Sequence, residues 1–528
     1  MIISIVRESG PSLAQKGMTM DSTDLRFILG FKLKKYRQEK KLSLKELAHK
    51  TNLSISYLSE IEKGKKYPKP EKLLQIARVL QISFDELVSL RLQKKLDSLS
   101  TLLTSPVLKE FPFQMFGISP RNLMQLLTDE ADKAGPFLRT VLEIARTYDI
   151  RVEHLLFAAL RAYQNIHENF FPEIESAAQS FRKEHQLSIQ PPPKAERLQQ
   201  LLQRLYGIII DTRSISDYPE LNTLRWVLID NFPPTLIINP NITREQKTFL
   251  LARELGYRVL NLQERVHTSS LRGVQSFNQI LNHYKASYFA GALLMPEAAL
   301  VNDLTNLFNE SHWIPDRFLQ LIRIYGVTPE TFANRLAQLL PIHFGIRELL
   351  FFRFHTPRNS GQFSITSLFN TSRFLIPTGM GTREHYCRRW LPIRLLLQLE
   401  EKQNQGHDGS TIIAAQRSRF KELNTEFFTI TLARASGGQE TINQSGTVSF
   451  ELNSQFKKVV RFWDDPAIPV VEVNETCERC GFSEEECSLR AAPPEIYHEK
   501  MLQKKQEAAL TRLKEAIAAR YGKGNNVV

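Results

Sequence analysis

A chain of 528 residues with 42% hydrophobic and 24% charged content is long enough for about three or four domains, each with its own core. No apolar run reaches the ~18 residues of a membrane helix, and the first twenty residues lack the layout of a secretory signal, so a cytoplasmic protein without membrane partners is expected. Net charge is +13, and between Asp24 and Leu80 fifteen Lys or Arg stand against six Asp or Glu, a local excess of +9. Such a segment suits a polyanionic partner, a solvated basic face being the plainer alternative.

Residues 1–22 read as a disordered arm or a mis-assigned start, with Met18 and Met20 as alternative first residues. From there to residue 90 the apolar positions recur at helical spacing. Ser43-Leu44-Lys45-Glu46 and Ser83-Phe84-Asp85-Glu86 are capping boxes. Leu44 to Thr51 is expected as a short helix, Asn52-Leu53 as the turn and Ser54 to Lys63 as the next helix, ended by Gly64. That order is the helix-turn-helix layout. The positions of Leu47-Ala48, Tyr57-Leu58-Ser59, Ile61-Glu62-Lys63-Gly64 and Pro68 resemble the Xre and lambda-repressor type of DNA-binding domain. The resemblance implies a core of Leu47, Ala48, Leu53, Leu58 and Ile61, with Ser54, Ile55, Ser56, Ser59 and Glu60 facing the major groove. Lys63, Lys65 and Lys66 follow the recognition helix and suit phosphate contacts, which position a protein without reading sequence. A protein-interaction bundle of the same shape is the competing reading.

Residues 91–190 read as a helical linker, with helices at 122–131, 134–148 and 152–166 and no nameable chemistry. Arg161 and Tyr163 could touch a ligand, but an ordinary solvent-edge Arg is the preferred reading. Pro191-Pro192-Pro193 reads as a stiff spacer.

Residues 191–341 are expected to begin with a helix, Ala195 to Leu205, and short strands at Gly207 to Asp211, Leu224 to Ile229 and Thr235 to Asn239. A long helix then starts at Thr243. It carries Leu250-Leu251-Ala252-Arg253-Glu254-Leu255-Gly256-Tyr257, which looks like a zinc-peptidase helix with its ligands replaced. An H-E-x-x-H peptidase needs two His at i and i+4 facing one Zn²⁺, with the Glu acting on bound water. Arg253 cannot lose its proton to ligate a cation, and Tyr257 is a poor zinc ligand near neutral pH. With Ala286 to Pro296 and Tyr325-Gly326-Val327-Thr328-Pro329, which leads into a helix over Thr331 to Leu339, the order is similar to the ImmA/IrrE metallopeptidase-like domain. That family's acidic third ligand is missing, His283 and Lys285 being the nearby candidates. No catalytic residue is therefore assigned and a non-enzyme is expected. Arg253 and Tyr257, on one helix face, are the candidate contacts for an anionic small ligand, an internal salt bridge being the structural alternative.

Beyond Pro341, residues 342–497 shift toward period two, with strands expected at Leu349 to Phe354, Gln362 to Leu368, Phe427 to Ala433, Thr447 to Leu452 and Lys458 to Phe462. The whole is expected to be multidomain: an all-α helix-turn-helix and linker, an α+β ImmA/IrrE-like domain and a β-rich carboxy-terminal domain. Cys477, Cys480 and Cys487 fall within eleven residues, and Cys387 is the fourth and last cysteine. Clustered thiols in a cytosolic chain favour a metal site over disulfides, and the spacing does not separate structural zinc from an iron-sulfur cluster. Cys387 joins the set only if the fold returns it. Residues 498–528 read as a polar helical tail, solvated or a dimer contact.

The order of helix-turn-helix, helical linker, degenerate ImmA/IrrE domain and cysteine motif ending Arg490-Ala491-Ala492-Pro493-Pro494 resembles the short-chain fatty-acyl-CoA regulators, bacterial transcription factors that control acetate and propionate use. The resemblance implies a double-stranded DNA operator, an acyl-CoA effector, a homodimer and a four-cysteine iron-sulfur cluster. The Cys-Arg-Arg-Trp at 387–390 departs from the family's Cys-Pro-x-Trp. A zinc peptidase acting on a repressor and an antitoxin-like interaction protein are the alternatives.

Overall fold

The structure is a computed structural model that describes residues 22–88 and 152–521, apart from 191, 231–232, 271–273, 275, 373–383, 407–410, 421–424, 437–441, 484 and 492–493. The helices expected at 122–131 and 134–148 lie outside the described residues. The chain divides into two compact units, one ending at Leu155 and one beginning at Leu156.

The described part of the first unit centres on five helices, α1 (Ser22–Glu39), α2 (Leu44–Thr51), α3 (Ile55–Glu62), α4 (Pro70–Leu80) and α5 (Phe84–Val88). Ser43 starts α2 as a reciprocal cap: its hydroxyl accepts the Glu46 N–H at 3.1 Å while the Glu46 carboxylate accepts the Ser43 N–H at 2.7 Å. Asn52, at φ 51°, ends α2 in the left-handed conformation that Asn tolerates, and Ser54 caps α3 two residues later. That tight turn sets the angle between the two helices. Leu47, Ala48, Leu58 and Ile61 are buried as expected, with Leu73, Ile76 and Leu80 from α4, and Leu53 packs half-buried against them. Gly30 lets α1 lie against the end of α3, because a Cβ there would stand 2.3 Å from the Ile61 carbonyl oxygen.

Helix α6 (Val152–Ile166) begins just before the boundary and runs on into the second unit, where it and α7 (Pro172–Glu184) precede α8 (Ala195–Tyr206). Helix α7 is part of the core: its Glu175 accepts both ends of the Arg335 guanidinium at 2.6 and 2.8 Å and the Tyr288 hydroxyl at 2.7 Å. Pro192 also docks, its ring under Gly326, where a Cβ would meet Pro192 Cγ at 3.1 Å.

A small sheet follows, ordered β1-β3-β2 from β1 (Ile209–Asp211), β2 (Trp226–Ile229) and β3 (Thr235–Ile238), then five helices, α9 (Arg244–Val259), α10 (Phe277–Leu294), α11 (Glu297–Phe308), α12 (Pro315–Tyr325) and α13 (Pro329–Phe344). Gly256 on α9 permits close crossing with α10: a Cβ would lie 2.9 Å from the Ala286 carbonyl oxygen.

The carboxy-terminal part is built on a six-stranded sheet of order β5-β4-β8-β7-β6-β9, antiparallel except where β6 and β9 meet. Its strands are β4 (Leu349–Pro357), β5 (Ser364–Asn370), β6 (Ile412–Phe420), β7 (Thr425–Ala435), β8 (Ile442–Glu451) and β9 (Val470–Val473). One face packs Leu350, Phe352 and Phe354 against Trp390, Leu395, Leu396 and Leu399 of the segment leading into and forming α14 (Leu391–Asn404). The other face receives the start of α13 at Gly446, whose missing Cβ leaves room for the Glu330 backbone, 3.0 Å from where that atom would be. The strand expected over Lys458 to Phe462 is instead the end of a short helix, α15 (Ser454–Val459), and a turn. Asn453 decides it by accepting the Phe456 N–H at 2.9 Å as a helix cap. Strands β6 and β9 and helix α14 are not expected from the sequence pattern. The last element, α16 (Pro494–Tyr521), leaves Leu502, Leu510 and Leu513 exposed. Among the described residues no helix is long and apolar enough to cross a membrane.

Candidate functional site

Three places gather the residues singled out above. On the first unit, the amino-terminal end and outer face of α3 carry Ser54, Ile55 and Ser56 exposed and Ser59 and Glu60 half-exposed, followed by exposed Lys63, Lys65 and Lys66. The Ser54 hydroxyl is engaged as the helix cap, accepting the Tyr57 N–H at 3.1 Å. Glu60 pairs with Lys66 at 2.7 Å, and that hydrogen bond is the main reason its carboxyl titrates below its ordinary range. Arg37 holds Glu62 at 2.6 Å, which fixes α3 against α1. Tyr57 adds a contact that spacing alone does not reveal: Lys72 and Lys66 lie 4.3 and 5.7 Å from its ring centroid, so cations of α4 and of the loop before it converge beside the recognition helix. The face combines polar groups suited to base edges with several cations suited to phosphates.

The second place is the altered peptidase helix. The Thr243 hydroxyl accepts the Gln246 N–H at 3.3 Å and Gln246 reciprocates at 3.0 Å, starting α9 so that Arg253, Glu254 and Tyr257 point into the domain. Glu254, only 3% exposed, accepts both ends of Arg265, at 2.9 and 2.5 Å, and the Arg258 Nε–H at 3.2 Å. The guanidinium of Arg265 also lies 4.1 Å from the Tyr257 ring centroid. A fixed cation thus sits against the very carboxylate that would have to act on a metal-bound water. The Tyr257 hydroxyl meets His283 Nδ1 at 3.1 Å, and burial is the chief cause raising its pKa to about 12. Burial likewise pushes His283 well below its ordinary value, Arg253 and Arg265 adding to it. Arg253 lies over Trp226 at 4.8 Å, its pKa lowered to about 10 mainly by burial. It has no carboxylate within ion-pair distance among the described residues. Arg265 and Trp226 carry no motif signature, which is why spacing alone does not find them.

The third place is the cysteine region. An isolated bridge between Tyr386 and Thr476 returns Cys387 to Cys477 across about ninety residues of sequence. Cys387 donates its N–H to the Glu475 carbonyl at 3.2 Å, and Cys477 donates to that of His385 at 2.7 Å. Cys387, Cys477 and Cys480 are buried and Cys487 is half-buried. The thiols are close enough to influence one another, and burial, the largest cause, carries Cys387 to about 12. Backbone N–H groups of Phe482 and Ala491 point at the sulfurs of Cys480 and Cys477, each at 3.5 Å. Arg490 clasps the loop, donating to the carbonyls of Phe482 at 2.7 Å and Cys477 at 3.1 Å. Soft donors with N–H groups aimed at sulfur fit a thiolate-bound metal or cluster, because such hydrogen bonds favour the deprotonated form. Among the described residues no three His, Cys, Asp or Glu side chains already stand in metal-holding geometry, so the thiols are a convergent set and not a formed coordination shell.

Comparisons with known proteins agree with the two recognisable folds. Residues 33–87 match the helix-turn-helix family model, and residues 213–337 match that of the IrrE N-terminal-like domain. Among solved structures the chain is similar to a Mycobacterium tuberculosis transcriptional regulator, at 17% identity and a TM-score of 0.43, over 63% of this chain and 92% of that one. No curated protein matches.

Proposed function

We propose that this protein is a DNA-binding transcriptional regulator in which a former peptidase fold serves as a non-hydrolytic regulatory domain. The observation that carries the reading is the pairing of an exposed recognition face at Ser54 to Lys66, in a segment that matches the helix-turn-helix model, with a peptidase glutamate held by arginine. A carboxylate whose two oxygens accept from Arg265 and Arg258 is a poor general base, since taking a proton from water means breaking those charge-assisted bonds. Two copies would meet half-sites about one helical turn apart, ~34 Å.

The effector in this reading is a short-chain acyl-CoA, and the regulated genes are those of acetate and propionate use. Support comes from the resemblance of the whole domain order and from Arg253, a cation left without a carboxylate beside Tyr257. Cys387, Cys477, Cys480 and Cys487 would hold an iron-sulfur cluster, structural zinc being the alternative. Either metal would supply a stable crosslink between two distant chain segments, and a cluster would add a redox-sensitive charge.

The test is binding of the purified protein to promoter and random DNA across salt concentrations, with and without propionyl-CoA, alongside iron, zinc and acid-labile sulfide analysis of anaerobically purified protein. Preferential promoter binding, unchanged by Glu254→Gln and altered by the acyl-CoA, is the expected result. Equal affinity for both DNAs would favour an interaction protein, and zinc retained after all four cysteines are changed to Ser would reopen the peptidase reading.

A further inference from the structure

A second cationic site lies where α13 meets the six-stranded sheet. Register places Arg353 of β4 beside Gly446 of β8, and His355 of β4 beside Gln444, which in turn faces Arg434 of β7. Alternation along the strands therefore puts Arg353, His355, Gln444 and Arg434 on the face that receives Glu330 over Gly446. Arg225, at the start of β2, reaches the same place and bonds Ser436 at 3.4 Å.

Charge there does not balance. Glu330 is spoken for at both oxygens by Arg434, at 3.1 Å each. Arg225 and Arg353 have only hydroxyl partners among the described residues, Ser436 and, for Arg353, Thr366 at 3.0 Å. Three guanidiniums against one carboxylate leave a formal excess of two positive charges. Both unpaired arginines are surrounded deeply enough for burial, the largest cause, to lower their pKa, Arg353 to about 10, yet both remain partly open to solvent. Beside them Gln444, 2% exposed, lies against His355 closely enough to raise its pKa, although its amide oxygen and the His355 Nε2 make no hydrogen bond of full geometry. Concentrating like charges where they are part-desolvated costs stability, and an anion bound between them would complete the set.

We propose that Arg225 and Arg353, backed by Gln444 and the Arg434–Glu330 pair, form a binding site for the phosphoryl oxygens of a small phosphorylated molecule. Guanidinium forks match phosphate oxygens two at a time, and a dianionic phosphate or a diphosphate cancels the excess of two. The amide oxygen of Gln444 can accept from a hydroxyl of the ligand. The site adjoins Arg253, whose charge Arg225 is near enough to influence, but it is built from different residues and does not depend on which effector controls DNA binding.

Inorganic pyrophosphate is the probe, titrated calorimetrically into the full chain, with acetate and sulfate as comparisons. The wild type should bind one equivalent, and Arg225→Gln or Arg353→Gln should each weaken it at least tenfold. Arg347→Gln, which removes a solvent-exposed arginine paired with Glu168, should leave it unchanged. Thermal melts guard against misfolding: without ligand the two Gln variants should melt at or above the wild-type temperature, because repulsion has been removed. The proposal is overturned if pyrophosphate does not bind, if acetate binds as tightly, or if Arg353→Gln binds unchanged, which would place the pyrophosphate on the basic DNA-reading face. Gln variants that melt well below wild type would also overturn it by making both arginines structural supports. Promoter binding by the same variants is scored separately, so failure of this site and failure of the regulator reading remain distinct.

Discussion

Replacing Arg265 with Met should loosen α9 and its neighbourhood more than any other single change in the altered peptidase pocket. Side chains of Arg265 and Glu254 are 6% and 4% exposed, so removing the guanidinium strands a buried carboxylate. Breaking such a pair costs about 3–5 kcal/mol. Arg258 remains at 3.2 Å, but its side chain is 30% exposed and its attraction is screened, which sets the expectation near the lower end, about 3 kcal/mol. Amide exchange of α9, followed by mass spectrometry, should accelerate about 100-fold, at roughly 1.4 kcal/mol per tenfold change. In the Glu254→Gln, Arg265→Met double variant no charge is stranded and most of the protection should return. A single variant that exchanges less than about fivefold faster, or a double variant that loses the full sum of the single effects, would refute the claim that Arg265 serves as Glu254's permanent counter-ion.

Gly256→Ala should cost about 1–3 kcal/mol by forcing α9 off the Ala286 carbonyl and the Phe289 side chain, 2.9 and 3.0 Å from the new Cβ; an unchanged melting temperature would show that the helices part freely. In the helix-turn-helix, Gly30→Ala sets a Cβ 2.3 Å from the Ile61 carbonyl oxygen and should abolish promoter binding while leaving pyrophosphate binding intact, both read on the same preparation. Changing Lys65 and Lys66 together to Ala should lower the salt slope of DNA binding by up to about 1.8, at ~0.9 for each phosphate no longer neutralised, and an unchanged slope would remove them from the interface. Burial, with Arg353 and Arg225 nearby and only partly offset by Glu330, depresses the His355 pKa to about 3. The unfolded chain then binds a proton the folded one refuses, so stability is lost as pH falls from about 6.5 toward 3, by at most ~1.4 kcal/mol per pH unit for this group. His355→Asn should flatten the pH dependence of unfolding over that interval, and a slope identical to wild type would exclude His355 as its source.

Local chemistry was legible in the sequence wherever a short-range rule acts alone. Ser43, Asn52 and Ser54 mark the helix boundaries of the DNA reader because capping and left-handed turns depend on residues a few positions apart. Arg253 and Tyr257 exclude an H-E-x-x-H ligand pair on the same grounds, since i and i+4 share a helix face whatever surrounds them. The clustering of Cys477, Cys480 and Cys487 likewise needs no fold to be noticed.

Only the tertiary structure decided the rest. Lys458 to Phe462 has strand-like spacing, but Asn453 captures the preceding turn as a helix; Ile412 to Phe420 lacks clean alternation, and its place in the sheet comes from pairing with β7 along its length and with β9 over Arg417 to Phe420. The partners that define each site come from far along the chain: Arg265 for Glu254, Tyr386 and Thr476 for the return of Cys387, and Arg225, Arg353 and Arg434 around Glu330. No periodicity records such meetings, because they are fixed by strand register and helix crossings. The sequence determined which groups carry charge, sulfur and caps; the fold determined which charges are answered and which are left open.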